Sequence, residues 1–333
     1  MTDAARRLNP VIRLAPAKLN LTLAIVGRRP DGYHALHSVM VPLGLSDRLS
    51  LAIGSDGDDS LHSTGFDPGP AEDNLVLKAV AAARRSVGRP VGSAAPPLAI
   101  RLDKRIPVAA GLAGGSSDAA AALGGALEAW GAELDPQQRL AVAASLGSDV
   151  PFFLGGGAAL VEGRGERVTP LRGVKTAPGE ATQRPGVLLV TPAVPAHTAA
   201  VFAAWSGGAM AEPGVARRTS EHFASEFGSG LSIRAFLERA AVLASANDLL
   251  PAAAAVVPGL VPLRRALTRL LGRPIGLSGS GATLWALYPS LDDAEKAASA
   301  VGAGHADGTL AFPGDEPPFV AATTIESGRS SEQ

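Results

Sequence analysis

The chain has 333 residues, with 30 Lys and Arg against 31 Asp and Glu and a net charge of −1. That balance lacks the basic excess of a nucleic-acid protein or of a polybasic membrane-surface protein, while a local site for phosphates stays open. Cysteine is absent, which removes disulfides, thiolate nucleophiles and cysteine-based zinc or iron–sulfur centres. Apolar residues make up 46%, enough for a sizeable core, and the length suits two domains. Arg13 and Lys18 interrupt the apolar stretch near the start, so no signal peptide is expected. The longest apolar run, Leu249 to Leu263, contains three prolines and is too short for a membrane span. A soluble, cytoplasmic protein is expected.

In chain order, "VIRL" is the first strand signal, followed by Pro16. Leu19, Leu21, Leu23 and Ile25 then alternate with Asn20, Thr22, Ala24 and Val26, which predicts a half-buried strand. Lys18, Asn20 and Thr22 share the face opposite the leucines. "RRPDGYH" is a turn, and "SVMVPL" and "DRLSLAI" continue as strand. The acidic Asp56 to Asp59 lacks EF-hand spacing and reads as an exposed turn. "AEDNLVLKAVAAARRSVG" predicts a helix ending at Gly88, and "PLAIRLDKRI" another alternating strand. A glycine loop and a helix to about Trp130, stopped by Gly131, come next. In "LDPQQRLAVAASLG", Asp135 is the expected N-cap, Pro136 the first helical residue and Gly147 the stop. "SDVPFFLGGGAALVEG" is expected to be extended. Residues 172–186 are polar and rich in Gly and Pro, a candidate linker. Beyond it, "VLLVTP" is a strand and "HTAAVFAAW" a short helix, while residues 206 to 230 give no clear signal. "LSIRAFLERAAVLASA", "VPLRRALTRLLG" and "LDDAEKAASAV" predict helices, "IGLSGSGATLWALY" strand, glycine turn and strand, and "PFVAATTI" a closing strand. The tail 326–333 reads as disordered.

The loop "PVAAGLAGGSSDAAAAL", Pro107 to Leu123, lies between a strand and a helix. Its glycines tolerate positive φ and let backbone amides approach a ligand. Ser116, Ser117 and Asp118 fall at the expected helix start, where free amides and the helix dipole favour an anion such as a di- or triphosphate. A plain serine-capped connection would look similar. The loop has neither the Walker spacing G-x-x-x-x-G-K-[ST] nor G-x-G-x-x-G, and no G-x-S-x-G elbow is present.

The loop resembles the phosphate loop of the GHMP kinases. Further matching segments are "APAKLNLTLAIVGRRPDGYHALHSV", "DNLVLKA", "LGSDVPFFLGGGAALVEGRGE", "ANDL" and "GLSGSGATLWAL", in order across residues 15 to 287. "AKLNL", "RPDGYH" and "GSDVPFFL" together are similar to the branch that phosphorylates 4-diphosphocytidyl-2-C-methyl-D-erythritol, in non-mevalonate isoprenoid synthesis. The resemblance implies an α/β (α+β) two-domain GHMP kinase fold. Residues 1–172 would form a ribosomal protein S5 domain 2-like N-terminal domain with the phosphate loop and catalytic residues. Residues 187–325 would form a ferredoxin-like C-terminal domain that completes the substrate site. The implied reaction moves the γ-phosphoryl group of ATP to the substrate's 2-hydroxyl.

By the same resemblance, Asp149 is the catalytic base and Lys18 the catalytic lysine. A solvated aspartate and a snorkelling lysine are the bland alternatives. Pro151 disfavours helical backbone at Val150, so Asp149 sits on a rigid corner. Lys18 would hold Asp149 ionised and neutralise charge on the moving phosphoryl group. Asn20 should contact substrate. Tyr33 and His34 match the segment that recognises the cytosine end, and Phe202 matches a second stacking ring or else packs its helix. Gly279 and Ser280, with Gly281, form a glycine turn facing the substrate or a tight hairpin. Asn74, Lys104, Pro107, Ala109, Gly111, Leu112, Gly114, Gly115, Ser116 and Ser117 fall at the nucleotide. Lys104 alone would read as a solvated strand-end charge. Mg²⁺ is expected with ATP, with Ser117 as a candidate ligand and phosphates and water supplying the rest. His34 and His37 lack a third metal ligand. No nucleic acid or membrane partner is expected, and the chain would be a monomer or homodimer. The alternatives are a mevalonate- or homoserine-type kinase, or a silent nucleotide-binding sensor, which could do without Lys18 and Asp149.

Overall fold

The computed structural model describes residues 9–55, 57–87, 95–175, 184–205 and 214–326. The chain opens with β1 (Val11–Asn20), β2 (Ala24–Arg28), β3 (His34–Ile53) and β4 (Ser60–Gly65). Next come α1 (Leu75–Ser86), β5 (Leu98–Lys104), α2 (Gly114–Trp130), α3 (Pro136–Leu146) and α4 (Phe152–Gly155). β6 (Ala159–Gly163), β7 (Arg167–Pro170), β8 (Val174–Lys175) and β9 (Gly186–Thr191) follow. After α5 (Thr198–Ala204) and α6 (Val215–Ser229) stand β10 (Leu231–Ser232), α7 (Ile233–Leu237), α8 (Ala240–Leu243), α9 (Leu250–Val256) and α10 (Leu260–Leu271). β11 (Gly276–Leu277), β12 (Leu284–Tyr288), α11 (Leu291–Ala306) and β13 (Phe319–Thr324) complete the order.

Two compact units interleave along the chain. One holds Met1–Ala17, Leu45–Val108 and Ala113–Gly155, and the other Lys18–Gly44, Ala109–Leu112 and Gly156–Gln333. The units follow packing rather than sequence order, so residues 18–44 pack with the later part of the chain. Within the expected linker, Val174–Lys175 pairs in parallel with Leu231–Ser232. Residues 176–183 of that linker, Gly88, Asp56, and residues 327–333 of the expected tail lie outside the described residues.

In the first unit, β5 pairs with the end of β3 in antiparallel register (Leu51 with Ile100) and with β4 in parallel (Leu61 with Ile100). Alternation works as expected on β5, where Leu98, Ile100 and Leu102 are buried while Ala99 and Arg101 are exposed. Val76, Ala79, Val80 and Ala83 of α1 and Ala119, Ala122, Leu123 and Ala126 of α2 join them in one apolar core. Small side chains let the helices approach closely. At Gly125 a methyl group would stand 2.6 Å from Leu51 Cδ1. Gly131 ends α2 in the left-handed conformation, and Asp135 with Gln138 forms a capping box on α3, the favoured chemistry at those positions.

In the second unit, β11, β12, β9 and β13 form a four-stranded antiparallel sheet in that order. Leu189 of β9 lies opposite Trp285 on one side and Ala321 on the other. Leu188, Val190, Leu284 and Ala286 share a core with Leu263, Leu267, Ala294 and Val301 from α10 and α11. β2 and the start of β3 form a hairpin (Arg28 opposite His34), closed by a turn with Gly32 at φ 86.

Several local expectations change. The alternating stretch from Leu19 is two strands rather than one, and it is not half-buried: Lys18, Asn20 and Thr22 are buried as fully as the leucines. "SVMVPL" and "DRLSLAI" belong to the single strand β3, which passes through Pro42. "SDVPFFLGGG" is not extended but contains α4. Residues 206–213 lie outside the described residues, but 215–229 form helix α6. Its buried face is Ala216, Ser220, Phe223, Ala224 and Phe227, a helical stripe whose small and hydroxyl members hide the pattern. Among the described residues, no single helix is long and apolar enough to cross a membrane. The run Leu249 to Leu263 is split between α9 and α10, bent by 116°, with Leu249, Leu260 and Leu263 in the core.

Candidate active site

The helix after the phosphate-type loop begins at Gly114, so Ser116 and Ser117 fall in its first turn, at the helix start as expected. The loop itself is built differently from its expected form. Among the loop glycines only Gly111 has positive φ (77°), whereas Ala109 and Ala113 adopt φ near 53° and 54°. Gly114 and Gly115 serve close approach instead. A methyl group at Gly114 would stand 2.8 Å from Lys104 Nζ, while one at Gly115 would meet only Leu75 Cδ1 at 3.8 Å. Gly115 is exposed and Ser116 half-buried, so the open start of α2 presents backbone to a ligand. Pro107 is buried at the foot of the loop.

Lys104 is not a solvated strand-end charge. It is buried, with Nζ bonded to Asp47 and 3.0 Å from Asp118 Oδ2. Asp47 Oδ1 also accepts from Arg105 N and Ile106 N, at 2.5 and 2.8 Å. Burial pushes the Asp118 carboxyl up to about 7, with Lys104 opposing and Asp47 reinforcing the rise. Asp118 Oδ1 and Ser117 Oγ are buried without hydrogen-bond partners among the described residues. Asn74 caps α1, its Oδ1 accepting from Val76 N at 2.9 Å.

Asp149 is half-buried in the turn between α3 and α4, where Val150 N bonds to Gly147 O at 3.3 Å. A methyl group at Gly147 would lie 3.9 Å from Ser116 Oγ. The Asp149 corner therefore stands beside the first turn of α2, in the same unit.

The second unit gathers Lys18, Asn20 and the glycine turn. Lys18 Nζ donates to Asn20 Oδ1 at 2.5 Å and to Gly111 O at 2.8 Å, as expected for residues two apart on one strand face. Ser278 Oγ donates to Gly111 O at 3.0 Å. Asn247 Nδ2 donates to Leu277 O and Gly279 O, at 2.9 and 3.0 Å. A methyl group at Gly111 would run into Ser278 O, and one at Gly279 would stand 3.1 Å from Lys18 Nζ. Loop and turn thus meet backbone to backbone over a buried ammonium. Leu112 O accepts from Lys18 N, Ala109 O from Ala196 N, and Ser280 Oγ pairs with Thr198 Oγ1 at 3.1 Å. Asn247 and Ser278 sit in recognised segments, but only the fold reveals what they hold.

Tyr33 is 53% exposed, with the Arg164 guanidinium 5.5 Å from its ring centroid. His34 stacks on Phe202 at 5.1 Å, and Trp205 meets the same imidazole edge-on at 5.1 Å. Trp205 was not anticipated; its position one helical turn after Phe202 was the available signal. Burial, with Arg28 adding to it, holds the His34 imidazole below the usual histidine range. It is then neutral near pH 7 and offers one donor and one acceptor. His37 is engaged with Ser220 instead, and no cluster of three acidic, His or Cys side chains fit for a metal exists among the described residues.

Residues 74–157 match the GHMP kinases N terminal domain and residues 232–307 the GHMP kinases C terminal domain. The 4-diphosphocytidyl-2-C-methyl-D-erythritol kinase of Pelotomaculum thermopropionicum is 36% identical, covering 87% of this chain and 93% of that one. Its counterpart from Methylorubrum extorquens is 39% identical over 86% and 92%. The chain belongs to the 4-diphosphocytidyl-2-C-methyl-D-erythritol kinase family. A crystal structure titled 4-(cytidine 5'-diphospho)-2C-methyl-D-erythritol kinase superposes with a TM-score of 0.65 at 32% identity, covering 95% of this chain and all of that one (100%). The α/β (α+β) GHMP kinase fold expected from the sequence is therefore the fold of this chain. As a member of this kinase family it is an ATP-dependent phosphotransferase of isoprenoid synthesis, with ATP as phosphoryl donor.

Proposed function

We propose that this kinase phosphorylates the 2-hydroxyl of 4-diphosphocytidyl-2-C-methyl-D-erythritol in the cytoplasm. The observation that carries the reading is the Lys18 ammonium, buried and aimed by Asn20 Oδ1 and Gly111 O. A lysine buried and held by two acceptors in this way has its Nζ fixed in place, unlike a surface group. A division into an N-terminal domain of residues 1–172 and a C-terminal domain of residues 187–325 is part of the same proposal.

In the proposed reaction the start of α2, open at Gly115, receives the ATP phosphates, with amides around Gly114, Gly115 and Ser116 as donors. Asp149 accepts the hydroxyl proton. The substrate oxygen bonds to the γ-phosphorus, the bond from that phosphorus to ADP breaks, and Lys18 stabilises the charge spread over the transferring oxygens. Tyr33, the neutral His34 and Phe202 bind the cytosine end by stacking and edge hydrogen bonds. Asn20 and the turn of Gly279 and Ser280 border the acceptor. Lys104 acts from beneath the loop, through Asp118 and the close packing at Gly114.

Magnesium fits the residues present. Ser117 Oγ is a hard oxygen donor without a partner among the described residues and would hold the ion, with phosphates and water completing its shell. The bound ion would neutralise phosphate charge.

The test is ADP formation by purified protein with ATP, Mg²⁺ and the cytidyl substrate, beside mevalonate and homoserine. Turnover only on the cytidyl substrate is expected; preference for another alcohol overturns the reading. Asp149→Asn should leave ATP affinity nearly unchanged and lower kcat by about a hundredfold or more.

A further inference from the structure

We propose that Ser220 on α6, together with His37 on β3, is a positioning residue for the Lys18–Asn20 pair. The inference rests on the reading of Lys18 as the catalytic lysine. It comes from a hydrogen-bond chain in the second unit that runs from buried Lys18 to half-buried His37. Lys18 Nζ donates to Asn20 Oδ1 at 2.5 Å, and Asn20 Nδ2 donates to Ser38 Oγ at 2.8 Å. Ser38 Oγ donates to Thr22 O at 2.5 Å. Thr22 Oγ1 lies 2.7 Å from Ser220 Oγ, which lies 2.8 Å from His37 Nδ1.

The directions of these bonds are constrained. A carbonyl can only accept, so the single Ser38 hydrogen goes to Thr22 O. Ser38 must then accept from Asn20 Nδ2. That orientation leaves Asn20 Oδ1 facing Lys18, where an ammonium requires an acceptor. The position of the Thr22 carbonyl therefore decides which way the Asn20 carboxamide is held.

Strand pairing alone does not hold Thr22. It sits in the break between β1 and β2, and Leu21 N and Thr22 N both turn to one acceptor, Val39 O, at 2.9 and 3.5 Å. Its hydroxyl supplies the missing constraint, accepting from Val39 N at 2.9 Å and pairing with Ser220. Ser220 is fully buried at a position where an apolar residue would pack α6 without these bonds. Its third neighbour, His37 O at 3.3 Å, ties the same hydroxyl to β3. A buried serine with three partner atoms, one from Thr22 in the break after β1 and two from His37 on β3, fixes geometry, since each lost bond would leave an unpaired polar group.

The experiment compares Ser220→Ala, His37→Ala, His37→Asn and the Ser220→Ala/His37→Ala pair with wild type, in steady-state kinetics with ATP and the cytidyl substrate. Ser220→Ala is expected to lower kcat about tenfold, the scale of one displaced hydrogen bond, with the KM for ATP unchanged. His37→Asn keeps an amide near the Nδ1 position and should restore most of what His37→Ala loses. The double variant should lose no more than the worse single, because both act through one chain. Wild-type kcat in Ser220→Ala, or additive losses in the pair, overturns the inference. If Ser220→Ala fails to fold, the two His37 variants decide it: equal activity in both overturns it. Lys18→Met is the control. Activity there removes the functional reading itself, whereas an inactive Lys18→Met beside a normal Ser220→Ala removes only the positioning role.

Discussion

Lys104 Nζ lies 3.0 Å from Asp118 Oδ2 and also bonds Asp47, so one buried ammonium serves two buried carboxylates beneath the start of α2. Removing the cation leaves both acids buried without their counter-charge. Lys104→Met should destabilise the fold by about 3–5 kcal/mol, read by urea unfolding. A loss below about 1 kcal/mol, with a selective rise in the KM for ATP, would make Lys104 a nucleotide ligand instead.

Asp59 accepts from Arg84 Nη1 and Nη2 at 2.5 and 2.6 Å and from Leu98 N at 2.8 Å. Burial pushes its carboxyl up, but the Arg84 hydrogen bonds, the Leu98 amide and the guanidinium charge together outweigh this and hold it below the ordinary aspartate range. The unfolded chain thus binds this proton more readily. The group's contribution is present above the unfolded value and is lost as pH falls through the folded one. Asp59→Asn should cost about 1–3 kcal/mol at pH 7, and the gap to wild type should close as pH falls through the lowered folded value. A gap that stays constant with pH would show that packing, including Arg84 over the Trp130 ring at 5.0 Å, carries the effect.

What the sequence made legible follows the range of each interaction. Capping and turn chemistry is local, so Asp135, Pro136, Gly131 and the Gly32 turn could be read directly. Alternation on β5 was equally plain, because only one of its faces is buried. It misled at residues 18–23, where both faces are buried and polar side chains find partners from other segments. Lys18 and Asn20 were legible as a pair, but their partners Gly111, Ser38 and Ser278 lie 18 to 258 residues away. Asp47 gave no signal at all, since its partners sit 57 to 59 residues on. α6 was hidden because its buried stripe includes Ser220, a residue that helical patterning counts as polar.

His34 and Phe202 stack at 5.1 Å with their rings inclined by 20°, leaving the imidazole between the phenyl face and the edge of Trp205. Phe202→Ala frees His34 from its stacking partner. It should raise the KM for the cytidyl substrate by about ten- to a hundredfold, the range for losing a base-stacking ring, while the KM for ATP holds. His34→Ala should act in the same direction. An unchanged substrate KM in both variants would remove the cytosine assignment from this cluster.

Gly111 and Gly115 should respond oppositely to the same added methyl group. At Gly111 the methyl would run into Ser278 O, at φ 77, so Gly111→Ala must both strain the backbone and push the loop off the glycine turn. A stability loss of about 1–3 kcal/mol is expected. Gly115 is helical and exposed, and beyond its own helix a methyl group there would meet, among the described residues, only Leu75 Cδ1 at 3.8 Å. Gly115→Ala should therefore stabilise the fold by about 0.4–1 kcal/mol by restricting the unfolded chain. The fold has no use for a glycine there, but a phosphate lying against the first turn of α2 does. The variant should unfold at higher denaturant yet bind ATP more weakly, measured by titration calorimetry. Higher stability with unchanged ATP affinity would mean that the triphosphate does not rest on this turn.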